Sequence, residues 1–135
     1  MMAEAPETFA DCVEQIEKAY EFMLAYAAQG RAVESTGSDG PAIRQHVTEL
    51  SAGLARVGKA AEEQLVELRQ SGGAFSDFAS VLSEDAEKAG RAVALVLASP
   101  NIGSQLIDNL NASQHLRALL TDIFLFDEAV KTIAR

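Results

Sequence analysis

The sequence lacks the residues that build disulfide-rich, secreted or membrane-spanning proteins. Its 135 residues include one cysteine, Cys12, which excludes an internal disulfide and a cysteine-rich zinc site. The longest apolar run, AVALVLA at residues 92–98, is far too short to cross a bilayer. The N-terminal stretch MMAEAPETFADC has no basic region ahead of an apolar segment, so we expect no signal peptide. These absences predict a cytoplasmic protein with no membrane partner.

Basic residues are too few and too scattered for a protein that binds nucleic acid. There are 11 Lys and Arg among 20 Asp and Glu, and the formal net charge is −9. A nucleic-acid binder needs clustered Lys and Arg to displace counterions from phosphates, so we expect no nucleic-acid partner. Attraction to an anionic membrane surface is disfavoured for the same reason. The most acidic segment, residues 1–30, is expected to be a solvated face or a surface for a protein partner.

Glycine, proline and aromatic residues are also scarce, which argues against an all-β fold. The chain has 9 Gly, 3 Pro and no Trp, and aromatic residues make up 6% of it. Hydrophobic residues at 48% and charged residues at 23% are ordinary for a globular protein. We therefore expect one domain over residues 1–135, able to bury about two thirds of its unfolded surface.

Apolar residues recur at steps of three and four along most of the chain, which predicts amphipathic helices. The clearest loop is GRAVESTGSDGP at residues 30–41, which is long for a connection between helices. The predicted helices cover residues 7–29, 41–70, 74–98, 102–110 and 113–134. The fold class is then all-α, an up-down bundle of four long helices with a short extra helix before the last. One kinked helix over residues 102–134 is the alternative for the C-terminal part.

The middle of the second predicted helix, LSAGLARVGKAA, is unusually rich in small residues. Gly53 and Gly58 would each cost about 1 kcal/mol relative to Ala in a helix interior. A neighbouring backbone packed closely against this segment explains the small residues. A local kink or a ligand lying in the groove is the alternative explanation.

The last helix carries more large apolar residues than one buried face can use. In DIFLFDEAV, residues 122–130, four such residues are consecutive, although neighbours point about 100° apart around a helix. Burying a Phe or Leu side chain contributes about 1.5–3 kcal/mol, and symmetric dimers are the commonest oligomers, so we expect a second copy to cover the excess. Cover by the short helix or by the N-terminal segment is the alternative. The predicted interface consists of Val93, Leu95, Leu97, Leu120, Phe124 and Leu125.

An aromatic group in the first helix is the candidate lining of a ligand pocket. Tyr20, Phe22, Met23 and Tyr26 lie close together in sequence and would point between helices. At helical spacing such a group more often belongs to the core. Both interpretations stay open from the sequence.

His46 and Glu49 are the candidate residues for a metal site or a phosphorelay. The sequence has no Glu-x-x-His motif of the kind that dimetal bundles use. Phosphotransfer domains usually place a small residue soon after the histidine, whereas Gly53 follows seven residues on. A histidine at the surface or at the edge of the core is therefore the favoured interpretation.

Four aspartates beside apolar faces offer a possible acid–base pair. They are Asp85, Asp108, Asp122 and Asp127. Capping, solvation at the edge of the apolar stripe, or an ion pair between Asp127 and Lys131 explains them at lower cost.

These patterns predict a non-catalytic interaction protein, acting as a small accessory, adaptor or regulatory subunit through apolar surface on its last two long helices. A homodimer and a further protein partner are the expected assemblies. A bundle that binds a small ligand or metal, conceivably an enzyme, is the second hypothesis, and a phosphotransfer module using His46 is the third. The sequence contains no motif that calls for a cofactor.

Overall fold

The chain folds into a helical bundle, which confirms the all-α prediction. The computed structural model describes residues 5–34, 42–70 and 72–134. Five helices form within these ranges, and none of them is long and apolar enough to cross a membrane. They are α1 (Phe9–Ala28), α2 (Ile43–Glu67), α3 (Gly73–Leu97), α4 (Ser104–Ala112) and α5 (Gln114–Ile133). The long helix α2 packs against α1 and α3, α5 packs against α3, and the short α4 packs mainly against α1.

Local signals set the helix ends close to the predicted positions. The Thr8 hydroxyl accepts a hydrogen bond from the Asp11 N–H, and the Asp11 carboxylate accepts one from the Thr8 N–H. This capping box starts α1 at Phe9, two residues after the predicted start. Ser113 has φ −59° and ψ 129° between α4 and α5, so the alternative of one kinked helix is wrong. The predicted start of the second helix at Pro41 lies outside the described residues.

Contacts at the two ends of α1 fix the directions of the other helices. Asn101, just after α3, donates to the Ala32 carbonyl just after α1, so these two helices run in the same direction. Ser104, which starts α4, bonds to the Tyr26 carbonyl near the end of α1. In contrast, the Phe126 ring of α5 lies 5.3 Å from the Phe9 ring at the start of α1. Helix α5 is therefore antiparallel to α1 and α3.

A polar network at one end of the bundle ties the helix ends together. Arg44 donates to the carbonyls of Leu97 (2.9 Å) and Ser99 (3.0 Å), which satisfies groups that the end of α3 leaves free. The same guanidinium binds both carboxylate oxygens of Glu34, and these hydrogen bonds lower the pKa of Glu34. Glu34 also accepts the Ile102 N–H at 3.1 Å. The connections after α1 and after α3 are thereby held against each other.

Close approach of the helices explains the small residues of α2. A Cβ atom added to Gly58 would lie 3.0 Å from Cα of Ser83 on α3 and would collide with the Ser83 hydroxyl. One added to Gly53 would lie 2.8 Å from Ile16 of α1. The predicted close packing of neighbouring helices against this segment is confirmed.

Candidate functional site

The outer face of α5 exposes two large apolar side chains. Phe124 is 51% exposed and Leu125 is 58% exposed. Arg117, Thr121 and Glu128 are exposed as well. Arg117, Thr121, Phe124 and Glu128 follow one another at steps of four, three and four residues, so they share one face of the helix. We call these four residues the α5 stripe, with Leu125 beside it.

Two of the predicted interface residues lie in the core, which corrects the prediction for them. Val93 is fully buried, and so in effect is Leu120, while Leu97 is partly buried and packs against the core. The buried part of α5 is wider than one stripe because α3 and α4 both pack against it. Leu120 is covered together with the row that contains Leu119 and Ile123. Of the six predicted residues, Leu95, Phe124 and Leu125 remain on the surface.

A pair of acids lies between α3 and α5. Asp122 on α5 is only 9% exposed, and its carboxyl group faces that of Asp85 on α3. The Oδ2 atom of Asp122 is buried and has no hydrogen-bond partner in the described part of the chain. Burial first, and then the hydrogen bond and charge of Asp85, raise the pKa of Asp122 to about 7. The sequence-based interpretation of this residue as capping, edge or ion-paired is wrong.

The acid pair locates the exposed apolar residues relative to one another. At 1.5 Å per residue, Val81 lies about 6 Å from Asp85 along the bundle, and Leu125 lies about 4.5 Å from Asp122 in the same direction. These two side chains therefore lie side by side over the contact between α3 and α5. Leu95 is 70% exposed, but it lies about 20 Å away from Leu125 along the bundle. The apolar patch consists of Val81, Phe124 and Leu125, and Leu95 stands apart from it.

The aromatic group predicted to line a pocket makes packing contacts. Met23 and Tyr26 are buried, and Tyr20 and Phe22 pack against the core from partly buried positions. The Tyr26 hydroxyl donates to the Ile102 carbonyl at 2.6 Å, which ties α1 to the segment before α4. These contacts give the side chains a structural role, and ligand binding by them stays a prediction.

His46 is packed against an aromatic ring. Its imidazole stacks on Phe22 with ring centroids 3.7 Å apart and planes 9° apart. Burial lowers the pKa of His46, with Lys18 adding to the effect and Glu49 opposing it. No three His, Cys, Asp or Glu side chains in the described ranges lie close enough together to hold a metal ion. The structure thus brings no third ligand to His46 and Glu49.

A shallow groove of about 450 Å³ runs along the outside of α2 and α3. Small residues such as Gly58, Ser83 and Gly90 form its floor. The groove follows from the close approach of the two helices at Gly58, which explains it without a ligand.

Sequence reasoning misses the stripe and the acid pair for different reasons. The four–three–four spacing of the α5 stripe is visible in the sequence on the face opposite the core row, and it could have been found there. Asp122 directly precedes the core residue Ile123, so its position on the helix suggests only the edge of the core. The facing acid on another helix is visible only in the fold.

Comparison of this chain with known protein families, with curated proteins and with solved structures gives no match.

Proposed function

We propose that the protein is a non-catalytic interaction module, a small accessory, adaptor or regulatory subunit, that dimerises through the outer face of α5. The observation that carries this proposal is the exposure of Phe124 and Leu125 next to Val81. Covering a large apolar side chain contributes about 1.5–3 kcal/mol, so a partner that buries this patch gains free energy. The proposal places the protein in the cytoplasm, where a lone thiol such as Cys12 stays reduced.

The charge pattern of the α5 stripe favours a second copy as the occupant of this surface. Arg117 and Glu128 stand eleven residues apart at the two ends of the stripe, about 16.5 Å along the helix. Suppose a two-fold axis passes between positions 122 and 123. An antiparallel second α5 then sets Arg117 opposite Glu128 of the partner subunit, and Phe124 opposite the partner subunit's Thr121. The arrangement gives two equivalent ion pairs around an apolar centre, as a symmetric interface requires.

The existing ion pairs leave these two charges available. Lys131 lies 3.2 Å from Asp127 but 3.7 Å from Glu128, and Glu128 is exposed. Arg117 is exposed and makes no ion pair with any of the described residues. An interface built on one helix and the edge of its neighbour is small, so we expect a dissociation constant of about micromolar.

Charge reversal tests the proposed register. Arg117→Glu or Glu128→Arg alone turns both ion pairs into like-charge contacts, and each should weaken the dimer about ten-fold or more. The double variant restores opposite charges and should recover most of the affinity. Sedimentation velocity between about 1 and 100 µM, the range around the expected dissociation constant, measures all four proteins.

Two further variants separate the patch from general surface changes. Phe124→Glu should abolish the dimer, because it places a charge at the centre of each half of the interface. Leu95→Glu is the matched control, since Leu95 is exposed but distant from the patch, and it should leave the dimer unchanged. A wild-type protein that stays monomeric at 100 µM, or a Phe124→Glu variant that dimerises normally, would refute the proposal.

A further inference from the structure

The acid pair between α3 and α5 lacks a donor. An ionised carboxylate only accepts hydrogen bonds, so Asp85 and Asp122 cannot bond to each other while both are ionised. Asp122 is more than nine-tenths buried, and its Oδ2 atom has no donor among the described residues. One proton held between the carboxyl groups supplies the missing donor and removes one of the two facing charges.

The surrounding helices bring no cation to the pair. The charged residues of the packed elements are exposed, apart from Asp127, which is half-buried and paired with Lys131. Asp85 is the charged group that acts on Asp122, and none of the others contributes. The exposed residues are Lys59 on α2, Glu84 and Lys88 on α3, Asp108 on α4, and Arg117 on α5. Helix α1 reaches α5 through the Phe9 ring, and its nearest acid, Asp11, is bonded to Thr8.

We infer that Asp85 and Asp122 form a proton-binding site that joins α5 to α3, and that this contact loosens when the proton leaves at mildly alkaline pH. Loss of the proton sets two negative charges against each other at a buried position with no compensating donor. The inference is independent of the proposed dimer, because the pair lies between α3 and α5 of one chain whereas the α5 stripe faces outward.

The pH dependence has a definite sign. The pKa of Asp122 is raised in the folded protein from 3.8 to about 7. Between these values the folded protein holds a proton that the unfolded chain has released, so the free energy of unfolding falls as the pH rises. The stabilisation is fully present below about pH 4 and is lost as the pH passes about 7. One extra bound proton makes the unfolding equilibrium constant rise by up to about ten-fold per pH unit in this window.

Urea denaturation from pH 5 to 8.5 tests the inference. Asp122→Asn keeps the shape and removes the titrating group, so its curve should lack this slope. The ratio of wild-type to variant unfolding constants should rise by close to about ten-fold per pH unit up to neutrality. Asp108→Asn removes an exposed acid instead, and it should follow the wild type at every pH. If Asp122→Asn also follows the wild type, the inference is wrong. Curves at two protein concentrations separate dimerisation from this effect.

Direct titration of the unmutated protein covers the case in which the variant folds poorly. The side-chain carboxyl carbon of Asp122, followed by ¹³C NMR, should titrate near neutrality, and a midpoint near pH 4 would overturn the inference. Amide protection factors along α5, corrected for intrinsic exchange, should fall between pH 6 and 8, and unchanged protection would overturn the loosening. Stabilisation by added calcium at pH 8 that Asp122→Asn lacks would show a cation in place of the proton, and would overturn the proton assignment.

Discussion

Gly58→Ala is expected to destabilise the protein, although alanine is the better helix former. In an open helix position this change stabilises by about 1 kcal/mol. At Gly58 the new methyl group would lie 3.0 Å from the Cα and Cβ atoms of Ser83, whereas carbon atoms pack at about 3.5–4.0 Å. The helices α2 and α3 would have to separate by roughly 0.5 Å or more along a tightly packed contact. Overpacking of this kind costs about 1–3 kcal/mol, and the Ser83 backbone cannot rotate away, so we expect a net loss of about 1–2 kcal/mol.

Gly90→Ala is the matched control for this substitution. Gly90 lies inside α3 and borders the same outer groove, but a Cβ atom there meets no heavy atom within 4 Å. It should therefore stabilise the protein by about 0.5–1 kcal/mol. Ser83→Ala should rescue Gly58→Ala only in part, because the contacts with Cα and Cβ of residue 83 remain. Urea denaturation gives the three differences. If Gly58→Ala stabilises as much as Gly90→Ala, the close approach of α2 and α3 is refuted.

Two further predictions concern buried groups of α1. Tyr26→Phe removes the 2.6 Å hydrogen bond to Ile102 and should cost about 1–3 kcal/mol by thermal denaturation. Tyr20→Phe, at a half-buried position, should cost less than about 0.5 kcal/mol, and equal losses would contradict the assigned role of Tyr26. Burial raises the pKa of the Cys12 thiol from 9.0 to about 11, so at pH 8 it should react with a disulfide reagent about a hundred-fold more slowly than the unfolded chain. Rapid labelling of the folded protein would show that Cys12 is accessible.

Helix α5 carries both proposals on different faces. The α5 stripe points away from the bundle, while Asp122 points toward α3 beside the core row that includes Ile123. Charge reversal at Arg117 should therefore leave the titration of Asp122 in place, and Asp122→Asn should leave the charges of the stripe in place. Failure of one proposal is distinguishable from failure of the other.

The sequence by itself determined the helices and their approximate ends. Periodicity at three and four residues, together with the loops around Gly30 and Ser99, placed every helix within about three residues of its observed bounds. The small residues around Gly58 also predicted a close neighbour correctly. These features are local in origin, because backbone preference and side-chain spacing act within a few turns of one helix.

Only the tertiary structure decided which apolar and acidic side chains are covered. A helical sequence fixes the angle of each side chain around its own axis, but the width of the buried face depends on how many helices pack against it and where. Val93 and Leu120 fall inside that face, while Phe124 and Leu125 fall outside it. Asp122 meets Asp85 because α5 runs antiparallel to α3 at one particular register. Its unpaired oxygen and its raised pKa therefore arise from packing between helices distant in sequence.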